Sequence, residues 1–358
     1  MASSIKRNMA YLRAFFSGET DGHAIIMNPA EDARGPVGDY TLSDRPVSEW
    51  RDPMLRRYEA ELEWHEKTGD DSVPYVGMNA NTAVFAAAFG CPVHSYEGIN
   101  ANAAAMPAVG TAAEADALPE PDIEQAAMLR RTLELARVMA DALGSDVPVG
   151  VPDIQSPFDI AAMVWRKEEF FIACMTEPEA VRRLVEKCER LLVRFLDRYR
   201  AELPRVNMVH CPRAWCPPEL GIWLSEDEVG SISPAVFEEL SLPSLTRLSD
   251  RYGGITLHCC AVAEHQYPSF RKLPGLRGWQ RVFADPGGPR TALEAWPDKP
   301  FVVAWHTEQA ARELKQISPD TRFLINMDAE DTPEQSRETY LRLREAFPRG
   351  AVTASPAA

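Results

Sequence analysis

Apolar residues Met9, Leu12, Phe15 and Phe16 recur at helical spacing near the start of the chain and stop at Ser17-Gly18, which predicts a helix over residues 4–17. Beyond it, short unbroken apolar runs alternate with longer amphipathic ones. His23–Asn28, Val73–Asn79, Val147–Asp153 and Val206–His210 read as buried strands, as do Gly254–Cys260, Leu276–Val282, Pro300–Trp305 and Arg322–Asn326. The amphipathic runs predict helices over about 50–68, 122–143, 178–202, 233–252 and 333–347, with another beginning at Ser156-Pro157. Proline directly after a serine or threonine marks several of these starts, because the first N–H groups of a helix have no intrahelical partner to lose. Thr176-Glu-Pro-Glu179 has capping-box spacing. In the helix it opens, Val181, Leu184, Leu191 and Phe195 form a stripe read as core-facing.

Strands alternating with helices over this length predict an α/β fold, a (β/α)8 barrel with an N-terminal helical extension, formed as one domain over residues 1–358. A doubly wound open sheet is the alternative, but the glycine pair Gly287-Gly288 sits in the wrong local setting for a dinucleotide fingerprint. Residues 100–120, rich in alanine and proline, read as a long excursion suited to a lid.

Composition adds exclusions. With 45% hydrophobic and 25% charged residues the chain is of ordinary globular make-up. Its 38 Lys+Arg against 53 Asp+Glu give a net charge of −15, which repels nucleic acid and anionic membrane, and no basic patch offsets it. No apolar run reaches the length of a membrane span, and the start carries Arg13 without a small-residue cleavage site. A cytoplasmic protein is expected. Seven cysteines at irregular spacing argue against a disulfide framework and for free or metal-bound thiols.

The chemistry concentrates in Gly254-Ile-Thr-Leu-His-Cys-Cys260. Alternate residues of a strand share a face, so His258 and Cys260 point one way and Cys259 the other. At the C-terminal end of a barrel strand, where such enzymes place their catalytic groups, an imidazole with a thiolate suits catalytic zinc. The competing reading is structural, since cysteine is among the most buried residue types and a strand-end histidine is often only hydrogen-bonded.

Residues from about 150 to 347 resemble the uroporphyrinogen decarboxylase superfamily, which includes zinc-dependent methyltransferases that serve corrinoid proteins or coenzyme M. The pieces that carry the resemblance are Gln155-Ser-Pro-Phe158, Thr176-Glu-Pro-Glu-Ala-Val181, Leu224-Ser-Glu-Asp227 followed by Ser233-Pro-Ala-Val-Phe237, Thr256-Leu-His-Cys-Cys260 and Asp331-Thr-Pro-Glu334. In the first half the likeness is looser and rests on Ala88-Phe-Gly-Cys91. Members like the true decarboxylase carry an arginine-rich segment after the first strand. Here that place reads Met27-Asn-Pro-Ala-Glu-Asp-Ala-Arg34, which disfavours a polycarboxylate substrate.

The methyltransferase branch has His-x-Cys at the end of the fifth strand, matched by His258 and Cys260, and a further cysteine near the end of the eighth. That cysteine is missing here: the chain reads Asn326-Met-Asp328 and has no cysteine downstream. The resemblance therefore implies zinc on His258 and Cys260 with Asp328 as the third ligand, or with Cys211, Cys216 or His210 in its place. On this reading Asn79, Asp153, Gln155 and Asn326 orient substrate from other strand ends, and Trp215, Trp223, Trp279 and Trp305, at or beyond strand ends, are pocket walls or barrel packing.

The expected activity is transfer of a methyl group between a corrinoid or small methylated donor and a zinc-activated thiol. The rivals are metal-independent decarboxylation or another lyase reaction, with Asp153 or Asp328 as the polar catalyst and His258 as proton donor, and a non-catalytic partner in a corrinoid-linked complex. The expected partners are a small-molecule substrate, a corrinoid protein and a second copy of the chain in a homodimer. The chain lacks an Asp-x-His-x-x-Gly segment, so any corrinoid is expected on a partner.

Overall fold

The computed structural model describes residues 2–29, 38–78, 80–96, 103–281, 289–298, 300–305, 322–327 and 332–350. Helix α1 (Ser3–Ser17) ends at Gly18, which takes the left-handed conformation with φ 77°. Strand β1 (Ala24–Met27) follows, then α2 (Arg51–Thr68). A short antiparallel pair, β2 (Val93–Ser95) and β3 (Ala103–Ala105), precedes α3 (Ala112–Ala117) and α4 (Ala127–Leu143). Next come β4 (Val149–Gly150), α5 (Pro157–Val164), α6 (Lys167–Thr176), α7 (Pro178–Glu202), β5 (Val206–Asn207) and β6 (Ile222–Ser225). The remainder is α8 (Pro234–Leu240), α9 (Leu242–Tyr252), β7 (Ile255–Cys259), α10 (Tyr267–Phe270), β8 (Leu276–Arg281), α11 (Pro289–Ala295), β9 (Phe301–Trp305), β10 (Phe323–Met327) and α12 (Pro333–Ala346).

Six strands form one parallel sheet in the order β1-β10-β9-β8-β7-β6, and β4 pairs with β5 in a second parallel sheet. The strands expected over 73–79 and 147–153 shrink to a bridge between Val76 and Val149 and to the two residues of β4. Pro74, Pro148 and Pro152 cannot donate to a ladder, which explains the shortening. Single hydrogen bonds carry the contact onward: Trp223 N–H to the Met208 carbonyl (3.1 Å), Ser225 N–H to Ile154 (2.9 Å) and Asp71 N–H to Ile25 (3.1 Å).

Three local expectations change. Residues 222–225, within a stretch read as irregular, form β6, a strand masked in the sequence by Pro217-Pro218 and Gly221 beside it. The helix expected over 233–252 is two, broken at Ser241 ahead of Pro243, whose missing N–H cannot continue the ladder. The capping box at Thr176 does not form: the Thr176 hydroxyl donates to the Ile172 carbonyl and closes α6, and Glu177 begins α7 with no side-chain cap. Ser156, Ser233 and Thr332 do cap their helices, each accepting from the N–H three residues on.

The strand period sorts the core into two apolar layers. Ile25, Met27, Leu224, Leu257, Cys259, Trp279, Phe323 and Ile325 face outward and pack under the helices. Ala24, Ile26, Trp223, Val302 and Leu324 face inward, where Leu12, Phe15 and Phe16 of α1 pack against them. At the C-terminal end of that inner face the residues turn polar, and this change positions the site.

Residues 111–120 of the alanine-rich excursion are fastened to the outside of α7. Arg183 pairs with Asp116 (2.7 Å), Arg190 and Arg194 with Glu120 (2.7 and 2.8 Å), and the Lys187 ammonium donates to the carbonyls of Ala115, Asp116 and Leu118. The part that faces the cleft described below is Ala103–Ala105 with Pro107.

Candidate metal and substrate site

Ser225, His258 and Gln280 occupy register-matched positions on neighbouring strands β6, β7 and β8, so their side chains share the inner face above Trp223 and Thr256. All three are buried. Two residues past β6, the chain presents Asp227, and one past β7, Cys260. One oxygen of Asp227, one ring nitrogen of His258 and the Cys260 sulfur lie within 4.8 Å of one another. The ligand-to-ligand edge of a tetrahedral zinc site is about 3.3–3.7 Å, given bonds of about 2.0–2.3 Å. Small side-chain shifts therefore bring all three onto one ion.

The hydrogen bonds around the group fix its parts. His258 Nε2 stands 2.9 Å from Cys260 Sγ, and its Nδ1 meets the side-chain oxygen of Gln280. Asp227 accepts the backbone N–H of Cys260. The Asp159 carboxylate on α5 accepts the N–H of Asp227 (2.6 Å) and of Glu228 (3.0 Å), which sets the turn after β6. Behind that turn Glu226 is fully buried, bonded to the Ser241 hydroxyl at 2.7 Å, and burial pushes it up to about 7.

The electrostatics favour a cation. Partial burial, with Asp227 and Asp153 nearby, pushes the Cys260 thiol up to about 12, so alone it stays protonated at neutral pH. Burial likewise raises Asp227 and Asp153 above the usual carboxylate range. A positive ion among them reverses each of these shifts. The donor set of nitrogen, sulfur and oxygen fits zinc, with three protein ligands and one position left for a substrate.

Beside this group lies a second polar cluster. His210 Nε2 is 3.0 Å from the Ser225 hydroxyl and 3.9 Å from Asp153, and its ring sits 6.0 Å from that of His258. Burial, reinforced by His258, holds His210 down at about 3, so it is neutral at working pH. The Gln155 amide donates to Asp153. Cys211 is half-buried, and burial, then Asp153 and Cys260, push its thiol up to about 12. A cleft of about 550 Å³ opens from Gln155 and Asp227 toward Tyr96, Ala104, Met163 and Trp165.

The structure thus brings His258, Cys260, Asp153, Gln155, His210 and Cys211 together. Asn326 lies on the inner face of β10, where its amide bonds Asn28 and the Arg213 carbonyl. Trp223 and Trp215 are in the apolar layer below, with Cys216, and are not brought to the group; Trp223 packs edge-on against Phe16 at 5.8 Å. Trp279 faces outward, against Phe270 at 4.8 Å and Trp296 at 5.6 Å, so it walls the outer core rather than a pocket. Asn79 and Asp328 fall outside the described residues, as does the Trp305 side chain. Asp227 was not singled out in the sequence as a ligand. Its signal was present in Leu224-Ser-Glu-Asp227, but without β6 there was no strand end on which to place it.

The uroporphyrinogen decarboxylase family model matches residues 58–206, so the resemblance to that superfamily is borne out; the matched segment includes Ala88–Cys91, Gln155–Phe158 and Thr176–Val181, and the motifs from Leu224 onward lie beyond it. No curated protein matches the chain. Among solved structures, a methyltransferase from Methanosarcina mazei shares the fold, with a TM-score of 0.65 at 12% identity over 95% of this chain and 98% of that one. The metallated form of the homocysteine methyltransferase MmuM from Escherichia coli aligns over 93% of this chain and 99% of that one at 15% identity, but its TM-score of 0.37 carries no weight. Among the described residues, no helix is long and apolar enough to cross a membrane.

Proposed function

We propose that this chain is a zinc-dependent methyltransferase acting on a thiol. The observation that carries the reading is the convergence of an Asp227 oxygen, a His258 ring nitrogen and Cys260 Sγ within 4.8 Å at the ends of β6 and β7. On this reading Asp227 takes the place expected of Asp328. Zinc bound there would supply a substrate thiolate at neutral pH by stabilising the anion. The chain's own residues hold the metal, orient the substrate through Asp153, Gln155 and Asn326, and offer the adjoining cleft to the methyl donor, a small methylated compound or a corrinoid carried by a partner protein.

The same reading takes the sheet to close into a (β/α)8 barrel within a single domain. Support comes from the Val76–Val149 bridge on one side and the Asp71–Ile25 hydrogen bond on the other, which lie in the gap between β4 and β1. The testing experiment is metal analysis of protein purified without chelator, beside thiol methylation assays with free methylcobalamin as donor. One zinc per chain, lost together with activity in His258→Ala, is the expected result. Metal-free protein with full activity, or a decarboxylation product, would move the chemistry to Asp153 and the lyase rival.

A further inference from the structure

We infer that Gln280 is the positioning residue that decides which nitrogen of His258 is offered as a ligand. The register of two strands brings the pair together. Ile255 pairs with Leu276, but Thr256 pairs with Gly278, so Arg277 is the extra residue of a bulge between β7 and β8. Beyond the bulge Leu257 stands beside Trp279 and His258 beside Gln280. An unshifted register would set His258 next to Trp279, whose indole can donate a hydrogen bond but cannot accept one. Gly278 suits the tight place: a Cβ there would stand 3.1 Å from the Pro300 carbonyl and 3.4 Å from Thr256.

Gln280 and His258 are 1% and 4% exposed, so no bulk water competes for their contact. The Gln280 oxygen faces His258 Nδ1, and an amide oxygen can only accept. Nδ1 therefore carries the proton. Nε2 is left with its lone pair, on the side where Cys260 and Asp227 stand. An accepting partner on the remote nitrogen fixes the tautomer, orients the ring and raises the basicity of the nitrogen that binds metal. The consequence for zinc affinity rests on the proposed function; the tautomer does not.

Two measurements test this. Nitrogen-15 NMR of histidine-labelled, metal-free protein reads the tautomer, and competition against a zinc chelator reads affinity. Wild type should show His258 protonated at Nδ1. Gln280→Leu should give a mixture of tautomers and a zinc affinity weaker by roughly 10–100-fold. Gln280→Glu, which keeps an acceptor oxygen at the same reach, should bind zinc at least as tightly as wild type. Protonation at Nε2 in wild type, or unchanged affinity in a folded Gln280→Leu, overturns the inference. Wild type that shows the Nδ1 proton yet takes up no zinc upholds the tautomer assignment and overturns the metal reading instead.

Discussion

The Asp227 carboxylate accepts the backbone N–H of Cys260, the residue whose thiol lies within 4.8 Å of that same carboxylate. Two candidate ligands from different strands are thereby tied through the backbone as well as through any shared ion. Asp159 extends the tie to α5, because its carboxylate holds the N–H groups of Asp227 and Glu228. The turn that carries Asp227 is thus set before a metal arrives, which lowers the ordering cost of binding.

Asp227→Asn separates these two roles. The amide oxygen can still accept the Cys260 N–H, but the charge is gone. Zinc content after dialysis should fall at least about tenfold, as expected for a three-ligand site reduced to two. The melting temperature of the metal-free protein should hold or rise slightly, since a carboxylate kept from water no longer has to be accommodated. A variant that keeps its zinc would remove Asp227 from the ligand set.

Cys259 and Cys260 should answer differently to the same substitution. Cys259 is buried among the outward-facing apolar residues, and its sulfur is 3.6 Å from the Ala261 carbonyl. Cys259→Ser places a hydroxyl in that layer at a cost of about 1–3 kcal/mol, toward the lower end if it donates to Ala261. Its zinc content should stay at the wild-type level. Cys260→Ser should lose the metal with little change in melting temperature. Zinc lost from Cys259→Ser alone would mean that the strand faces the other way.

That contrast was legible in the sequence because a strand has a period of two, and a His-x-Cys pair needs nothing else to define its face. The main amphipathic helices and most strands were legible for the same reason. The third ligand was not. Asp227 depends on β6, a four-residue strand hidden behind two prolines and a glycine, and short strands hemmed by turn residues give no periodic signal. Gln280 was hidden further, since its place beside His258 follows from a one-residue bulge that only tertiary pairing reveals. Of the two roles open to Trp279, pocket wall or barrel packing, the outer face that the same bulge assigns to it selects packing.

Asp71 should be among the most sensitive positions outside the site. Fully buried, it accepts the Ile25 N–H at 2.8 Å and the Tyr340 hydroxyl at 3.1 Å, and it pairs with Arg344 and Arg349. It therefore ties β1 to α2's far end and to the C-terminal helix α12. Asp71→Asn leaves two arginines facing a neutral amide, and breaking a buried pair in this way costs about 3–5 kcal/mol. Urea denaturation of the metal-free protein should register that loss. A midpoint equal to wild type would show that the network is dispensable.

His23 should make stability depend on pH well away from the metal. It is buried beside Phe323 and Phe347, and its Nδ1 accepts the Phe323 N–H at 3.2 Å. Burial, with Arg344 adding to it, pushes the imidazole down to about 4, against about 6.5 for an unhindered histidine. Between those values the unfolded chain binds a proton that the folded chain refuses, so acidification favours unfolding. The contribution is whole above about pH 6.5 and is lost as pH falls toward about 4, amounting to about 3 kcal/mol at most. In His23→Asn the side-chain oxygen can accept the same N–H and does not titrate. Urea unfolding at pH 7 and pH 4.5 should therefore show wild type losing about 2–3 kcal/mol more on acidification than the variant. Equal losses would mean that His23 takes up its proton as freely in the folded chain as in the unfolded one.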